Sequence, residues 1–311
     1  MPTLSVPPID VVALRSFLAA YGTDEMLADE LPVAMSMASA YRLRTSQGAR
    51  LLHLFDEGEA QQAAMVATLF LCLQGADIPC PNPVADHDGR LFGWLGGRSA
   101  ILSACPAGRV LASHTAAHCA RVGELLARLH RLAGQCVPVQ TTGSTVREWR
   151  DIAPMLAPEL AAADAALLRD EIRFQGLYRF SDLPQGLIHG DIAPEALLFD
   201  DGRLCGVLGL ERARTDARLR DLAIATTACC SLADGSLDPE RVLAMLEAYH
   251  AVVVLTPIER GAWPVMLRAA ALQQWVRALQ HEERADPSVA AAKARLLDRI
   301  AREGELQRLW P

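Results

Sequence analysis

A carboxylate and an imidazole two positions apart are the groups of this chain best suited to chemistry. His189, Gly190 and Asp191 follow a short apolar run that begins at Gly186. In an active site, Asp191 would orient a hydroxyl group or accept its proton, while His189 braces the loop. In an inactive loop both side chains would serve as architecture, because a buried Asp can accept several backbone N–H groups. The sequence leaves both interpretations open.

Two short strands must follow this loop. Residues 197–200 and 204–208 flank an Asp-Gly pair at 201–202, which is typical of the tight turn of a β-hairpin. Ala196 stands directly before the first strand, and Gly209 follows the second. The pattern predicts a loop and a hairpin that together frame a site.

Other segments keep an order and spacing seen in a known family. These segments are Asp77-Ile-Pro-Cys-Pro, Asp88-Gly89, Gly97-Arg98-Ser-Ala-Ile-Leu, Thr115-Ala-Ala-His-Cys, Leu125-Leu-Ala-Arg-Leu-His130, Asp234-Gly-Ser-Leu-Asp-Pro and Trp263-Pro-Val-Met-Leu-Arg268. With the loop and the hairpin they resemble the aminoglycoside phosphotransferase family, and more closely its homoserine kinase branch, over nearly the whole chain. The resemblance implies an α+β, bilobal, protein-kinase-like fold. It implies an N-lobe with N-terminal helices and an antiparallel sheet (1–105), and a mostly helical C-lobe (106–311) that carries a catalytic-loop-like hairpin (186–211).

The resemblance assigns roles to the loop residues. In kinase-like enzymes a loop Asp orients the acceptor hydroxyl, and an Asn and a second Asp bind the metal ions. The first role falls to Asp191, with His189 bracing the loop and Asp221 supporting it from the next helix. The two metal-binding positions fall on Ala196 and Gly209, which provide no oxygen ligand.

Two glutamates lie beside the empty ligand positions. Glu195 precedes Ala196, and Glu211 follows Gly209 by two residues, which along an extended chain returns to the same face. They are either relocated metal ligands or solvated surface carboxylates.

The expected phosphate-binding segment also departs from the family. Cradling a phosphate normally needs glycines, but residues 31–41 contain none. Ser36 and Ser39 remain as weak phosphate donors, or this segment is an ordinary strand pair. No lysine precedes Lys293, so the third strand offers His53 or Arg50 as its cation, or His53 lies on the surface.

Acceptor recognition is altered as well. The homoserine kinases carry Arg and aromatic residues on the penultimate helix, where this chain has Gln273 and Gln274 before Trp275. Arg268 and Arg277 are possible anion contacts on the same helix, or only solvate it.

Composition narrows the function class. The net charge is −7 and no basic stripe with interleaved aromatic residues occurs, so nucleic acid is not a predicted partner. The N-terminal residues lack the pattern of a secretory signal, and the most apolar run, at 63–73, is too short to span a membrane. Eight cysteines without a CxxC pair predict reduced thiols and a cytoplasmic location.

Helices and strands follow from periodicity and caps. Three antiparallel strands are predicted in residues 31–55, and further strands near 90–104. Helices are predicted at 11–21, 59–73, 115–132, 146–165, 166–180, 220–231, 238–250, 257–282 and 286–307.

Three hypotheses remain. The first is a pseudokinase, a binding or regulatory module with an impaired Mg-ATP site and no cofactor. The second is an active Mg-ATP-dependent phosphotransferase for homoserine or a related hydroxyl compound. The third is a different chemistry of Asp191 and His189 without nucleotide. The predicted partner is a small-molecule ligand or a protein, and the oligomeric state stays open.

Overall fold

The computed structural model describes residues 9–23, 33–34, 40–132, 134–136, 145–282 and 285–310. Its helices are α1 (Val11–Ala19), α2 (Ala60–Gly75), α3 (Ala116–Arg131), α4 (Thr145–Leu156), α5 (Ala162–Gln175), α6 (Arg218–Cys229), α7 (Pro239–His250), α8 (Pro257–His281), α9 (Pro287–Ala301) and α10 (Glu303–Leu306). Its strands are β1 (Val33–Ala34), β2 (Ala40–Thr45), β3 (Gly48–Leu54), β4 (Asn82–Pro83), β5 (Gly93–Leu95), β6 (Arg98–Ala104), β7 (Gln185–Ile188), β8 (Leu197–Asp200), β9 (Arg203–Val207) and β10 (Arg214–Ala217).

The chain forms two compact units. The first contains the described residues of Met1–Leu111, Gln135–Pro138 and Glu195–Glu211, and the second contains those of Ala112–Gly134, Val139–Pro194 and Arg212–Pro311. Every strand pair among the described residues is antiparallel. The predicted α+β class is therefore confirmed.

The first unit is built on an antiparallel sheet and a separate hairpin. The sheet has the order β1-β2-β3-β6-β4, and β5 also pairs with β6. The hairpin consists of β8 and β9. Asp201 and Gly202 at its tip have φ of 43° and 73°, as the tightest hairpin turns require at both central positions. The predicted hairpin is thus confirmed, with one irregularity in register between Leu198 and Phe199.

Alternation along β3 divides the first unit into two apolar clusters. Leu52 and Leu54 lie in one cluster with Leu14 and Leu18 of α1. Leu51, on the opposite face of β3, lies in another cluster, whose other buried members are Ala196, Leu198 and Leu208. Burying one such leucine stabilises the fold by roughly 1.5–3 kcal/mol. His53 shares the face of Leu51, since side chains two residues apart on a strand point the same way.

The N-terminal part of the first unit follows the sequence pattern. The Asp10 carboxylate accepts a hydrogen bond from the Val12 N–H at 3.0 Å and so caps α1. The helix ends at Ala19, two residues before the predicted end. Strands β1, β2 and β3 are the three strands predicted in residues 31–55.

The second unit is mostly helical, as predicted. Helices α7, α8 and α9 each begin with a proline, where the missing N–H has no partner to lose. The prediction of helices at 146–165 and 166–180 placed the break too late. Helix α4 ends at Leu156, and a 3₁₀ turn over Ala157–Glu159 separates it from α5. Pro158 explains the break, because it cannot donate to the preceding turn.

An ion pair connects α5 with α9. The Lys293 ammonium nitrogen lies 3.1 and 3.0 Å from the two carboxylate oxygens of Asp164. Both side chains are about one-third exposed, so the pair contributes little to stability but fixes the two helices at one point.

One prediction about the cysteines is wrong. Cys72 on α2 and Cys136 form a disulfide, with Cα atoms 5.8 Å apart and a sequence separation of 64. The other six cysteines are free thiols. Sequence spacing could not reveal a pairing over this separation, because no short-range motif accompanies it.

In the described parts of the chain, no helix has the length and apolar content that crossing a membrane requires.

Candidate functional site

The loop with His189 and Asp191 follows β7 in the second unit. Strand β7 is held by β10, with Ile188 opposite Arg214. Gly190 has φ of 80°, and a Cβ at this position would collide with the Arg214 guanidinium. The positive φ favours glycine, whereas the guanidinium lies at the end of a flexible side chain that could shift to make room. The predicted neighbours of Asp191 are thus part of a tightly constrained turn.

Asp221 is the anchor of this loop. Its carboxylate is fully buried and accepts the N–H of His189 at 2.6 Å and the N–H of Gly190 at 2.7 Å. His130 Nε2 lies 3.2 Å from the same carboxylate. Burial alone would raise the pKa of Asp221, but the hydrogen bond and charge of His130, the charge of His189 and the backbone donor outweigh it, so the pKa is lowered. The predicted supporting role of Asp221 agrees with this geometry.

Two further buried side chains, His130 and Tyr249, are connected to Asp221. The other nitrogen of His130, Nδ1, lies 2.8 Å from the Tyr249 hydroxyl oxygen. His130 belongs to α3 and Tyr249 to α7, so the chain Tyr249–His130–Asp221 connects two helices to the loop. Both side chains are buried. The phenol and the carboxylate hold the imidazole in one orientation, as is common for a histidine with a buried carboxylate partner.

Two guanidinium groups occupy the Asp191 carboxylate. Arg277 of α8 binds one carboxylate oxygen, and Arg212 lies 3.3 Å from the other. The Asp191 N–H donates to His189 Nδ1 at 3.3 Å, which is the contact that a bracing role of His189 would use. Burial, with the charges of Arg277 and Arg212, lowers the pKa of nearby His281. The surroundings of Asp191 are therefore strongly positive.

Gln273 of α8 also contacts this loop. Its amide nitrogen donates to the Gly190 carbonyl at 3.1 Å, and its amide oxygen accepts from Arg220 at 2.7 Å. Of the two arginines considered as anion contacts, Arg277 reaches the loop. Arg268 does not serve this role, because it forms salt bridges with Glu171 and Glu303, both at 2.5 Å.

The usual metal-binding positions lie in the first unit and are apolar. Ala196 has no exposed surface and packs in the cluster around Leu51. Glu195 is exposed in the 3₁₀ turn Pro194–Ala196. No group of three or more His, Cys, Asp or Glu side chains within the described ranges is arranged to hold a metal ion.

Glu211 and His53 form a buried polar pair in the first unit. His53 Nε2 lies 3.9 Å from Glu211 Oε2, and the two side chains are only 4% and 9% exposed. Both carboxylate oxygens of Glu211 and the Nδ1 atom of His53 lack a hydrogen-bond partner among the described residues. Burial lowers the pKa of His53, although the charge of Glu211 acts in the opposite direction. The surface alternative is wrong for both residues. The phosphate-binding candidates Ser36 and Ser39 lie outside the described residues.

The sequence did not predict two contacts of this arrangement. Neither the His130–Tyr249 link nor the contact of Arg212 with Asp191 was predicted. His130 lies 91 residues from Asp221 and 119 from Tyr249, and no periodic pattern spans such distances. The one available signal was the Leu-His end of the segment at 125–130, which the resemblance placed on a C-lobe helix without giving it a partner.

Comparisons with known proteins agree with this architecture. A family model described as the phosphotransferase enzyme family matches residues 35–255. A homoserine kinase from Methylobacillus flagellatus is 37% identical over 268 residues, covering 86% of this chain and 83% of that protein. A homoserine kinase from Methylobacillus glycogenes is 35% identical over 294 residues, covering 93% and 92%. The crystal structure of an aminoglycoside phosphotransferase from Alicyclobacillus acidocaldarius superposes with a TM-score of 0.64 at 16% identity, covering 99% and 96%. The predicted kinase-like fold is confirmed.

Proposed function

The chain belongs to the phosphotransferase enzyme family, and from this premise we propose that it transfers the γ-phosphoryl group of ATP to a small hydroxyl compound, homoserine or a close relative. The names of the two curated relatives support the acceptor class. Because ATP is the donor, we also propose a cytoplasmic location.

The observation that carries this proposal is the buried carboxylate of Glu211, whose oxygens accept no hydrogen bond from the described residues and lie 3.9 Å from His53 at the closest approach of that pair. A buried carboxylate without hydrogen bonds is costly, because burial removes the water that would stabilise its charge. A divalent cation would compensate that charge. Mg²⁺ commonly uses one or two protein carboxylates and takes its remaining ligands from water and substrate phosphates. Glu211 therefore fits a metal ion and would replace the ligand that Gly209 lacks.

In this proposal, the bound metal ion would neutralise charge on the phosphates of ATP. The role of the chain's own loop is to hold Asp191 where it orients the acceptor hydroxyl. Asp221 fixes the backbone of that loop through the N–H groups of His189 and Gly190. Positioning of this kind accounts for much of the catalysis in phosphoryl transfer.

Substitution of Glu211 tests the proposal. We expect Glu211→Gln to reduce metal-dependent ADP formation with homoserine by about 10²- to 10³-fold, the typical loss for one electrostatic contact in a transition state. The measurement is a coupled assay of ADP release with and without homoserine. Glu195→Gln is the matched control, because this carboxylate is exposed. Equal turnover in the wild type and Glu211→Gln would contradict the role of Glu211.

A second function, a binding module without phosphoryl transfer, is favoured by one specific observation. Both oxygens of Asp191 are held by Arg277 and Arg212, so the carboxylate that should orient a hydroxyl is already bonded. Calorimetric titration with ATP, with and without a divalent metal, separates the two functions. Ligand binding without ADP formation, unchanged in Arg277→Gln, would support the module. Faster turnover in Arg277→Gln would show that the ion pair restrains an active enzyme.

A further inference from the structure

We propose that His53 and Glu211 are the protein ligands of a site for a first-row transition-metal dication, with preference over Mg²⁺. The site names the metal class for the proposed phosphotransferase and in that sense depends on the proposed function. Metal binding itself is independent of turnover and can be measured without it.

The geometry of the pair suits a shared cation. The His53 Nε2 and Glu211 Oε2 atoms are 3.9 Å apart, too far for a direct hydrogen bond. Metal–nitrogen and metal–oxygen bonds of about 2.0–2.2 Å place two ligands of one tetrahedral ion roughly 3.5 Å apart. The observed separation is only slightly longer, so a small rotation of either side chain would bring both atoms onto one cation.

Because the side chains of His53 and Glu211 are buried, their polar atoms require a bonding partner. The imidazole rests edge-on against Phe70 of α2, with ring centroids 5.6 Å apart. Strand β3 presents Leu51 on the same face, and Leu208 precedes Gly209 on the hairpin side. In this apolar setting neither Glu211 oxygen accepts a hydrogen bond from the residues that the structure describes. Buried polar groups in native proteins almost always have partners, and those that lack one indicate an ion or a water molecule that belongs to the site.

The ligand types determine the preference. Mg²⁺ favours sites made only of oxygen ligands, whereas imidazole favours ions such as Co²⁺ and Zn²⁺. The two positions that usually provide oxygen ligands are occupied by Ala196 and Gly209, which provide none. The imidazole of His53 would provide a nitrogen ligand instead. Two protein ligands leave the other coordination positions to water or to phosphate oxygens.

Titration with Co²⁺ tests this site directly. Visible absorption of Co²⁺ reports an imidazole ligand, and Zn²⁺ and Mg²⁺ serve as competitors. For metal-free wild-type protein, we expect a saturable absorption band that Zn²⁺ displaces and a hundredfold excess of Mg²⁺ over Co²⁺ does not. His53→Gln and Glu211→Gln should each weaken Co²⁺ binding at least tenfold. The exposed residues His87 and Glu195 provide the matched controls His87→Gln and Glu195→Gln, which should bind as the wild type does.

The outcomes separate this inference from the proposed function. Unchanged Co²⁺ binding in His53→Gln, or displacement by Mg²⁺ as readily as by Zn²⁺, would overturn the site. Thermal unfolding followed by circular dichroism verifies that each variant is folded, and Zn²⁺ should raise the unfolding temperature of the wild type but not of Glu211→Gln. A protein that binds Co²⁺ through His53 without forming ADP would keep the site and refute the phosphotransferase.

Discussion

Asp221 shows how one buried carboxylate can organise a loop through backbone contacts alone. It accepts two consecutive N–H groups and is also paired with His130. Hydrogen bonds to a charged group contribute about 1.5–3 kcal/mol each, and an unpaired donor in the interior is costly. The position of Asp191 thus depends on a residue that never needs to touch a substrate.

Replacing that carboxylate should destabilise the fold. We expect Asp221→Asn to lower the free energy of unfolding by about 3 kcal/mol at pH 7, because the neutral amide oxygen cannot satisfy all three donors. Urea denaturation of both proteins gives this difference. The lowered pKa of Asp221 adds a pH dependence. Its stabilising effect is present above the unfolded value of 3.8 and is lost as the pH falls through the folded pKa.

The two denaturation curves should therefore converge in strongly acidic solution. Asp182→Asn provides the control, since Asp182 is an exposed carboxylate. A constant difference between Asp221→Asn and the wild type down to pH 2 would contradict the charge argument.

The sequence predicted the residues of the loop but not the partners that decide its chemistry. His189, Asp191 and Asp221 were found because they lie within one contiguous pattern. Arg277 binds Asp191 from 86 residues away, and its position depends on how α8 packs in the second unit. Local propensity contains no information about such a contact.

At the scale of elements, the β8–β9 hairpin is present. Ala196, at the usual position of a metal ligand, is part of the apolar core. Alternation along β3 places Leu52 and Leu54 on the face opposite to His53. The apolar cluster around Leu51 then fills the space beside Ala196. This cluster could not be predicted, because it requires β3 and the hairpin, about 140 residues apart, to pack together.

Restoring the amide ligand should consequently be unfavourable. We expect Ala196→Asn to reduce the free energy of unfolding by about 3 kcal/mol, since a polar amide would enter a packed apolar cluster without a partner. Chemical denaturation measures the effect, with the exposed Ala112→Asn as control. Equal stability of the two variants would mean that the cluster opens readily at this position.

At the scale of the molecule, one covalent bond restricts the unfolded chain. The Cys72–Cys136 disulfide closes a loop of 64 residues, for which chain-entropy arguments give about 4 kcal/mol of stabilisation. The bond ties α2 to the segment after α3. Reduction should therefore change stability without altering the loop that holds Asp191.

We expect Cys72→Ser to unfold at a lower temperature than oxidised wild type, with a loss of up to about 4 kcal/mol. Dithiothreitol should lower the unfolding temperature of the wild type to that of Cys72→Ser. It should not change the unfolding temperature of Cys72→Ser itself. Cys205→Ser, which removes a free thiol, should retain the response to the reductant. A wild type that is insensitive to dithiothreitol would contradict the stabilising role of the disulfide.

The ion pair between α5 and α9 makes the chain unusually simple to label. Lys293 is the sole lysine among thirty basic residues, so an amine-directed dye or cross-linker can attach at one side chain and, otherwise, only at the N-terminus. That side chain bonds to Asp164, far in sequence from the loop and from His53. A fluorophore attached there marks the α5–α9 contact, and arginine, which these reagents do not modify, provides every other cationic side chain.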